Sequence, residues 1–276
     1  METGTPRTVD IPFEASEEAA RRISDYTVAF ANLPSDKVDV GLGGSGTLVQ
    51  VEGKHAILTA AHVVDQLWKA KRFGLVLSGF PSGRPHNLFF ETASVKKVQI
   101  PRPRHLDESE PPDVAIIELP PNRVGDVLAR KSFYNILKHQ HEALSGPPNY
   151  RLGFWLMSGS SGEWTADASP LPGFKRLVVF NGRVMGVAVT PLETNTEFDG
   201  WSGTVVRGED YDGPESFGGY SGGGLWQNLI EKKCGKIRLT GSLLSGVAYY
   251  QSDDCSTIRF SGRKCIYEAL LNVMKG

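Results

Sequence analysis

The stretch HAILTAAHVV, residues 55–64, decides the fold. Its apolar run predicts a strand that leaves a hydrophobic core, and the small residues that follow place the imidazole of His62 at the rim of that core. An imidazole in such a position is suited to act as a general base. A lone histidine after an apolar strand also describes an ordinary surface or core residue, so the interpretation needs partners elsewhere in the chain.

Two further stretches supply those partners. In PPDVAIIEL (111–119), Asp113 lies between two prolines and a buried-looking strand, where a carboxylate can be fixed and desolvated. In GYSGGG (219–224), Ser221 lies in a glycine-rich turn. Serine-based acyl transfer needs a hydroxyl, a base that removes its proton and an acid that orients the base. His55 is a weaker candidate for the base, and Asp107 is a weaker candidate for the acid.

The order of these residues excludes one alternative. GYSGG also fits the G-x-S-x-G turn of α/β-hydrolases, but in those enzymes the histidine follows the serine. All six histidines of this chain precede residue 142. The available order is therefore His62, Asp113, Ser221.

The rest of the chain predicts two β-rich halves. Short runs rich in β-branched residues alternate with turn residues on both sides of a mostly polar stretch, which favours paired barrels or a large sandwich. The segment 14–33 has helical character in its early part, FYNILKHQHEAL within the linker could form a short helix, and the tail has the periodicity of an amphipathic helix. The predicted division is a partly helical extension (1–37), a first barrel (38–125), a linker (126–150), a second barrel (151–260) and a closing helix (261–276).

The blocks HAILTAAHVV, PPDVAIIEL and GYSGGGLW together resemble the three signature blocks of the chymotrypsin-like, or trypsin-like, serine proteases. The resemblance covers roughly residues 38–260. It implies an all-β fold of two six-stranded antiparallel barrels with the active site in the cleft between them. His62 and Asp113 would come from the first barrel and Ser221 from the second. The helical segment before the barrels and the helix after them are predicted from the residue pattern alone.

The glycines around Ser221 have a chemical explanation. Negative charge builds on the scissile carbonyl oxygen, and the backbone N–H groups of Gly219 and Ser221 would stabilise it as an oxyanion hole. Aiming two N–H groups in one direction requires backbone angles that glycine adopts without a Cβ clash. Residues 222–224 would leave room for the substrate and for the facing barrel.

Tyr220 departs from the secreted members of the family. They carry an aspartate at this place, which pairs with a new amino terminus after propeptide cleavage. A tyrosine cannot make that ion pair at neutral pH. We therefore expect a chain that needs no such cleavage and resembles the cytoplasmic, bacterial and viral branches.

Three residues are weaker candidates for binding substrate. Glu215 matches the place of the acid at the base of a trypsin-like pocket, although it equally describes a solvent-facing loop residue. Ala248 and Tyr249 lie in the strand SGVAYY (245–250), which is expected to pair with the substrate backbone.

Composition restricts the partners. The chain has 276 residues and a net charge of −1, so no long-range field favours nucleic acid or an anionic membrane surface. No signal segment or spanning run is apparent, and we expect a cytoplasmic protein with reduced cysteines at 234, 255 and 265. No cofactor or metal is expected, because His139 and His141 have no cysteine nearby in sequence.

Two glycine-rich motifs outside the turn are interpreted as structural. GLGGSG (41–46) matches a dinucleotide fingerprint, but a strand pattern follows it where a helix is required. GSSG (159–162) is typical of a flexible loop.

Three classes of function stay open. The first is an active serine endopeptidase whose partners are a protein or peptide substrate and, as one means of restraint, a regulatory protein. The second is a catalytically silent module of the same fold that binds peptides. The third is a serine esterase.

Overall fold

The computed structural model describes residues 11–33, 41–77, 86–146, 153–168, 177–192, 198–207, 211, 213–233 and 236–275. Residues 1–10 and Cys234 lie outside these ranges.

The first half is one curled antiparallel sheet. Its seven main strands run in the order β5-β4-β1-β2-β3-β7-β6, and the short strand β8 pairs in parallel with β2. The strands are β1 Thr27–Asn32, β2 Gly41–Val51, β3 Lys54–Thr59, β4 Arg72–Leu77, β5 His86–Glu91, β6 Lys96–Gln99, β7 Ala115–Glu118 and β8 Tyr134–Asn135.

The second half is a closed six-stranded antiparallel barrel of order β10-β11-β14-β13-β12-β9. Its strands are β9 Phe154–Ala168, β10 Leu177–Pro191, β11 Gly200–Val205, β12 Gly224–Lys233, β13 Lys236–Gln251 and β14 Ile258–Ser261. The two curled sheets match the predicted chymotrypsin-like two-barrel arrangement, and the fold class is confirmed. The first half differs in detail from six strands, because β1 and β8 add to it.

Helices flank the sheets, and two of them, at 61–67 and 121–128, are additional to those that the sequence predicts. They are α1 Phe13–Ser24, α2 Ala61–Leu67, α3 Pro121–Leu128, α4 Ile136–Leu144 and α5 Leu270–Lys275, the last preceded by a π-helical turn, Cys265–Ala269. The short helix suggested within the linker corresponds to α4, and the closing helix corresponds to the π-helical turn and α5.

The N-terminal extension needs a correction. The predicted first barrel begins at residue 38, whereas β1 is already part of the first sheet, between β4 and β2. Its residues Val28, Ala29, Phe30 and Ala31 are all buried. Tight packing on both faces of a strand removes the polar alternation by which a strand is usually detected in a sequence.

Candidate active site

His62 and Asp113 meet at the edge of the first sheet. His62 lies in the first turn of α2, directly after β3, and Asp113 lies just before β7, the neighbour of β3. The imidazole Nδ1 is 2.6 Å from Asp113 Oδ2. An ionised carboxylate only accepts hydrogen bonds, so the Nδ1 proton belongs to His62 and the lone pair of Nε2 is free to take up a proton.

The Asp113 carboxylate is buried and fixed. Its side chain is 7% exposed, against 47% for His62. Its other oxygen, Oδ1, accepts the backbone N–H of His62 at 3.1 Å. The backbone N–H of Asp113 donates to Ser261 Oγ on β14 at 3.0 Å, so the second barrel also holds this residue. A fixed acid next to a half-exposed imidazole is the arrangement that orients a general base.

The turn that carries Ser221 docks on the same edge. The carbonyl of Ser221 accepts the backbone N–H of Ser45, on β2, at 2.7 Å. Gly222 faces the residues just before α2, since a Cβ there would lie 3.1 Å from the backbone nitrogen of Ala60. The turn of the second barrel is thus in contact with the segment that leads into His62. Among the hydrogen bonds of the residues that the structure describes, none joins Ser221 Oγ to His62.

Two glycines of this turn have backbone angles and neighbours that strongly disfavour any side chain. Gly219 has φ +100° and Gly222 has φ +87°, both in the region that favours glycine. A Cβ at Gly219 would overlap the side chain of Leu42, and a Cβ at Gly222 would overlap Thr59 Oγ1. The contact of Gly222 with the first sheet agrees with the expected room for the facing barrel. Gly223 instead faces the backbone of Ser158 within its own barrel.

The N–H groups of Gly219 and Ser221 make no hydrogen bond to other described residues. In the turn, the N–H of Tyr220 donates to Phe217 O at 2.9 Å, and the N–H of Gly222 donates to Ala248 O at 2.7 Å. Within the described ranges, no hydrogen bond uses the N–H of Gly219 or Ser221. These two groups are the pair that the sequence assigns to an oxyanion hole.

Tyr220 is a core residue of the second barrel. It is 2% exposed and packs edge-on against Phe217, with ring centroids 5.9 Å apart. Burial raises the pKa of its phenol far above the ordinary value. The hydroxyl has no hydrogen-bond partner in the described part of the chain. The side chain therefore fills space beside the turn and carries no charge.

The weaker candidates for the base and acid lie elsewhere. His55 packs edge-on against Phe133, with centroids 4.6 Å apart. Asp107 is in an exposed loop, where it accepts the N–H of Ser109 at 2.8 Å and its pKa is lowered by that bond. The structure brings Asp113, and not Asp107, to His62.

Glu215 lies in an exposed loop. Its described contacts involve its backbone: the N–H donates to Glu163 Oε2 at 2.9 Å, and the carbonyl accepts from Arg207 at 3.5 Å. Of the two interpretations of Glu215, the solvent-facing loop residue describes this position, whereas a pocket base requires a buried carboxylate.

Ala248 and Tyr249 have structural contacts of their own. The N–H of Ala248 donates to Gly223 O at 2.9 Å, so this group is engaged with the nucleophile turn and is not available to a substrate. The phenol of Tyr249 donates to Ser109 O at 2.7 Å, and burial raises its pKa. Tyr249 thereby holds the loop that leads to Asp113.

Sequence reasoning missed the residues that support the turn. Ser45, in the discarded GLGGSG motif, is fully buried and its hydroxyl donates to Gly219 O at 2.7 Å. GSSG (159–162), predicted as a flexible loop, lies inside β9, and Ser160 and Ser161 are buried. That prediction is wrong because the small side chains serve close packing against the turn. The one sequence feature that could have indicated this role is the single serine, Ser45, among the glycines of GLGGSG.

No metal site accompanies these residues in the part of the chain that the structure covers: it contains no cluster of three or more His, Cys, Asp or Glu side chains able to hold an ion. His139 instead stacks on Tyr134, with centroids 4.7 Å apart. Cys255 and Cys265 are unpaired, and Cys265 is buried. None of the helices in the described ranges has the length and apolarity to cross a membrane.

The fold and the site define a class. The chain has a chymotrypsin-like two-barrel fold, with an imidazole bound to a carboxylate at the junction of its two barrels and a glycine-rich serine turn docked beside it.

Comparison with known proteins adds solved structures only, since no protein-family model and no curated protein matches the chain. A Sesbania mosaic virus structure, from work on aromatic interactions in the coupled folding and binding of the intrinsically disordered VPg protein, has 14% identity and a TM-score of 0.44, with 88% of each chain covered. Catalytically active tobacco etch virus protease with bound product has 11% identity and a TM-score of 0.40, over 88% of this chain and 74% of that one. A serine endoprotease from Yersinia pestis has 14% identity and a TM-score of 0.45, over 95% of this chain and 68% of that one. At such scores these similarities carry no argument about activity.

Proposed function

We propose that this protein is a serine endopeptidase that cleaves peptide bonds through an acyl-enzyme intermediate. The observation that carries the proposal is the 2.6 Å contact between His62 Nδ1 and the buried Asp113 carboxylate, at the edge where the Ser221 turn docks. In this proposal Ser221 is the nucleophile, His62 is the general base and Asp113 orients His62.

The chemistry follows from these roles. His62 Nε2 removes the Ser221 Oγ proton as Oγ bonds to the scissile carbonyl carbon, and the carbonyl oxygen becomes an oxyanion. The free N–H groups of Gly219 and Ser221 stabilise that charge. The oxyanion then collapses and the C–N bond breaks as the imidazolium protonates the leaving amine. Water, deprotonated by His62, attacks the acyl-enzyme, the ester bond to Ser221 Oγ breaks, and the imidazolium returns the proton to Oγ. Ser221 Oγ must reach Nε2 for the first step, and such hydrogen bonds often tighten only when substrate binds.

A fluorophosphonate probe tests the nucleophile. We expect one probe per chain, mapped by mass spectrometry to Ser221, with labelling lost in Ser221→Ala and His62→Ala. Ser145→Ala, which changes an exposed serine next to α4, is the matched control and should label normally. No labelling of the unmodified protein would leave the peptide-binding module as the better interpretation.

A peptide library separates the endopeptidase from the esterase. We expect internal cleavage of some peptides, with the cleavage lost in Ser221→Ala. Hydrolysis of simple esters without cleavage of any peptide would favour the esterase instead.

We also propose that the chain is active without proteolytic removal of its N-terminus. The support is Tyr220, which is buried and uncharged and so offers no carboxylate for a new amino terminus. The labelling rate of the full chain should not change when a non-cleavable tag blocks its amine. Labelling that appears only after N-terminal cleavage would contradict this proposal.

A further inference from the structure

The loop that carries the oxyanion N–H groups is bound from two sides by polar contacts. We name residues 215–221 the nucleophile loop. On one side Ser45, from β2 of the first sheet, contacts its end near Gly219. On the other side the segment 160–163 of β9 runs along its first half.

Ser45 connects three chain segments. Its hydroxyl donates to Gly219 O at 2.7 Å and accepts the N–H of Ser160 at 2.9 Å. Its own backbone N–H donates to Ser221 O at 2.7 Å. Since Ser45 is fully buried, these bonds are shielded from water, and an unmade one would leave a polar group unsatisfied.

Glu163 binds the start of the loop. Its two carboxylate oxygens accept the backbone N–H groups of Ser216 at 2.8 Å and of Glu215 at 2.9 Å. Bonds from N–H groups to a carboxylate are stronger than neutral ones. Next to it, Gly162 donates its N–H to Gly218 O at 2.8 Å.

Backbone hydrogen bonds next to these side-chain contacts fix where the oxyanion N–H groups point. In a trans peptide the C=O and the following N–H point in opposite directions. Because Gly218 O is directed at β9, the N–H of Gly219 is directed away from β9. Because Tyr220 O accepts the N–H of Gly223 at 2.8 Å, the N–H of Ser221 is turned away from that bond in the same manner.

We propose that Ser45 and Glu163 are positioning residues that hold the nucleophile loop in its oxyanion-binding conformation before substrate arrives. The proposal rests on the proposed function. Neither side chain touches the reacting atoms, and both act through the loop backbone. According to this proposal, two side chains outside the triad contribute to the rate of acylation.

The kinetic test uses p-nitrophenyl acetate and a fluorophosphonate probe, with active sites counted by the endpoint of labelling. In Ser45→Ala and Glu163→Ala we expect kcat and the labelling rate to fall about tenfold, less than the ~10²–10³ for deleting an oxyanion donor outright. KM should stay within about twofold, because only transition-state binding is lost. Glu163→Gln, which retains one acceptor oxygen, should fall between Glu163→Ala and the unmodified protein.

Matched controls and pH profiles exclude a general structural effect. Ser242→Ala removes a serine hydroxyl that bonds to Asn228 away from the loop, and Glu91→Gln changes an exposed glutamate of β5. Both should retain full rates. The pH midpoint of kcat/KM should be the same in all variants, since the His62–Asp113 pair is untouched. Glu163 is exposed, so Glu163→Ala is expected to fold and decides the matter if Ser45→Ala does not.

Hydrogen exchange of the peptide that spans residues 213–221 gives a readout without activity. Exchange should be faster in Ser45→Ala and Glu163→Ala than in the controls. If the unmodified protein labels at Ser221 but both variants match the controls in rate and exchange, the positioning role is overturned and the proposed function stands. If the unmodified protein does not label, the proposed function fails. The contacts of Ser45 and Glu163 then have no catalytic role, whatever the exchange rates are.

Discussion

The phenol of Tyr249, on β13, donates a hydrogen bond to the backbone carbonyl of Ser109, 2.7 Å away and 140 residues earlier in the chain. Arg259 Nη1 donates to the same carbonyl, also at 2.7 Å. The second barrel thus holds the loop that leads to Asp113.

Removing this phenol should loosen the connection. Tyr249→Phe retains the ring packing and deletes one hydrogen bond, so we expect the free energy of unfolding to fall by about 1 kcal/mol. Urea denaturation measures it. Tyr250→Phe is the control, since Tyr250 contacts Arg259 through its ring face, and it should cost less. Equal losses in the two variants would contradict a specific role of the Tyr249 hydroxyl.

The Asp113 carboxylate should matter far more for chemistry than for folding. Asp113→Asn leaves the shape intact but an amide can donate to His62 Nδ1 and favour the wrong tautomer. We expect the rate of fluorophosphonate labelling to fall by about 10³–10⁴. Asp107→Asn, in the exposed loop nearby, should label at the unmodified rate. A similar loss in both variants would remove the distinction between the two acids.

The sequence was most informative where chemistry restricts residue type. Only certain side chains can act as base, acid and nucleophile, and their order along the chain excluded the α/β-hydrolase alternative. The Asp113–His62 contact could therefore be anticipated from two motifs 51 residues apart. The two β-rich halves could be predicted from runs of β-branched residues that alternate with turn residues.

Supporting residues could not be found in this way. Ser45, Glu163 and Ser261 act through hydrogen bonds to backbone groups, and a backbone group is the same at every position, so no partner residue type marks them. The strand GSSG was misread because buried small residues and exposed loop residues have the same composition. Such supporting contacts become visible only when strand pairing brings distant segments of the chain together.

The buried hydroxyl of Tyr220 is expected to lower the stability of the fold. Its hydroxyl is buried without a partner in the described part of the chain, and an unsatisfied buried hydroxyl costs about 1–3 kcal/mol. Tyr220→Phe should therefore raise the free energy of unfolding by about 1 kcal/mol and leave labelling unchanged. Tyr220→Asp should lower it strongly, since a carboxylate would replace an aromatic core residue. A destabilised Tyr220→Phe variant would mean that the hydroxyl has a partner in solution.

The buried Lys131 is expected to make the stability of the protein depend on pH. It is 7% exposed, and its ammonium donates to Ser24 O at 2.8 Å. Burial lowers the pKa of Lys131 to about 8, against a smaller opposing effect of Asp25. In the unfolded chain the pKa is about 10.4.

The sign of the effect follows from these two values. Between pH 8 and about 10.4 the unfolded chain binds more protons than the folded one, so the contribution of Lys131 to stability rises with pH. Below pH 8 the charged ammonium is buried and its desolvation cost is fully present. Urea denaturation of the unmodified protein and of Lys131→Met at pH 7 and pH 10 should show the difference between them shifting by about 1–3 kcal/mol in favour of the unmodified protein. The tyrosines and Cys265, whose raised pKa values act in the opposite direction at high pH, are common to both proteins and cancel in the difference. If the difference in the free energy of unfolding between the two proteins does not change with pH, Lys131 is charged and in contact with water in the folded protein.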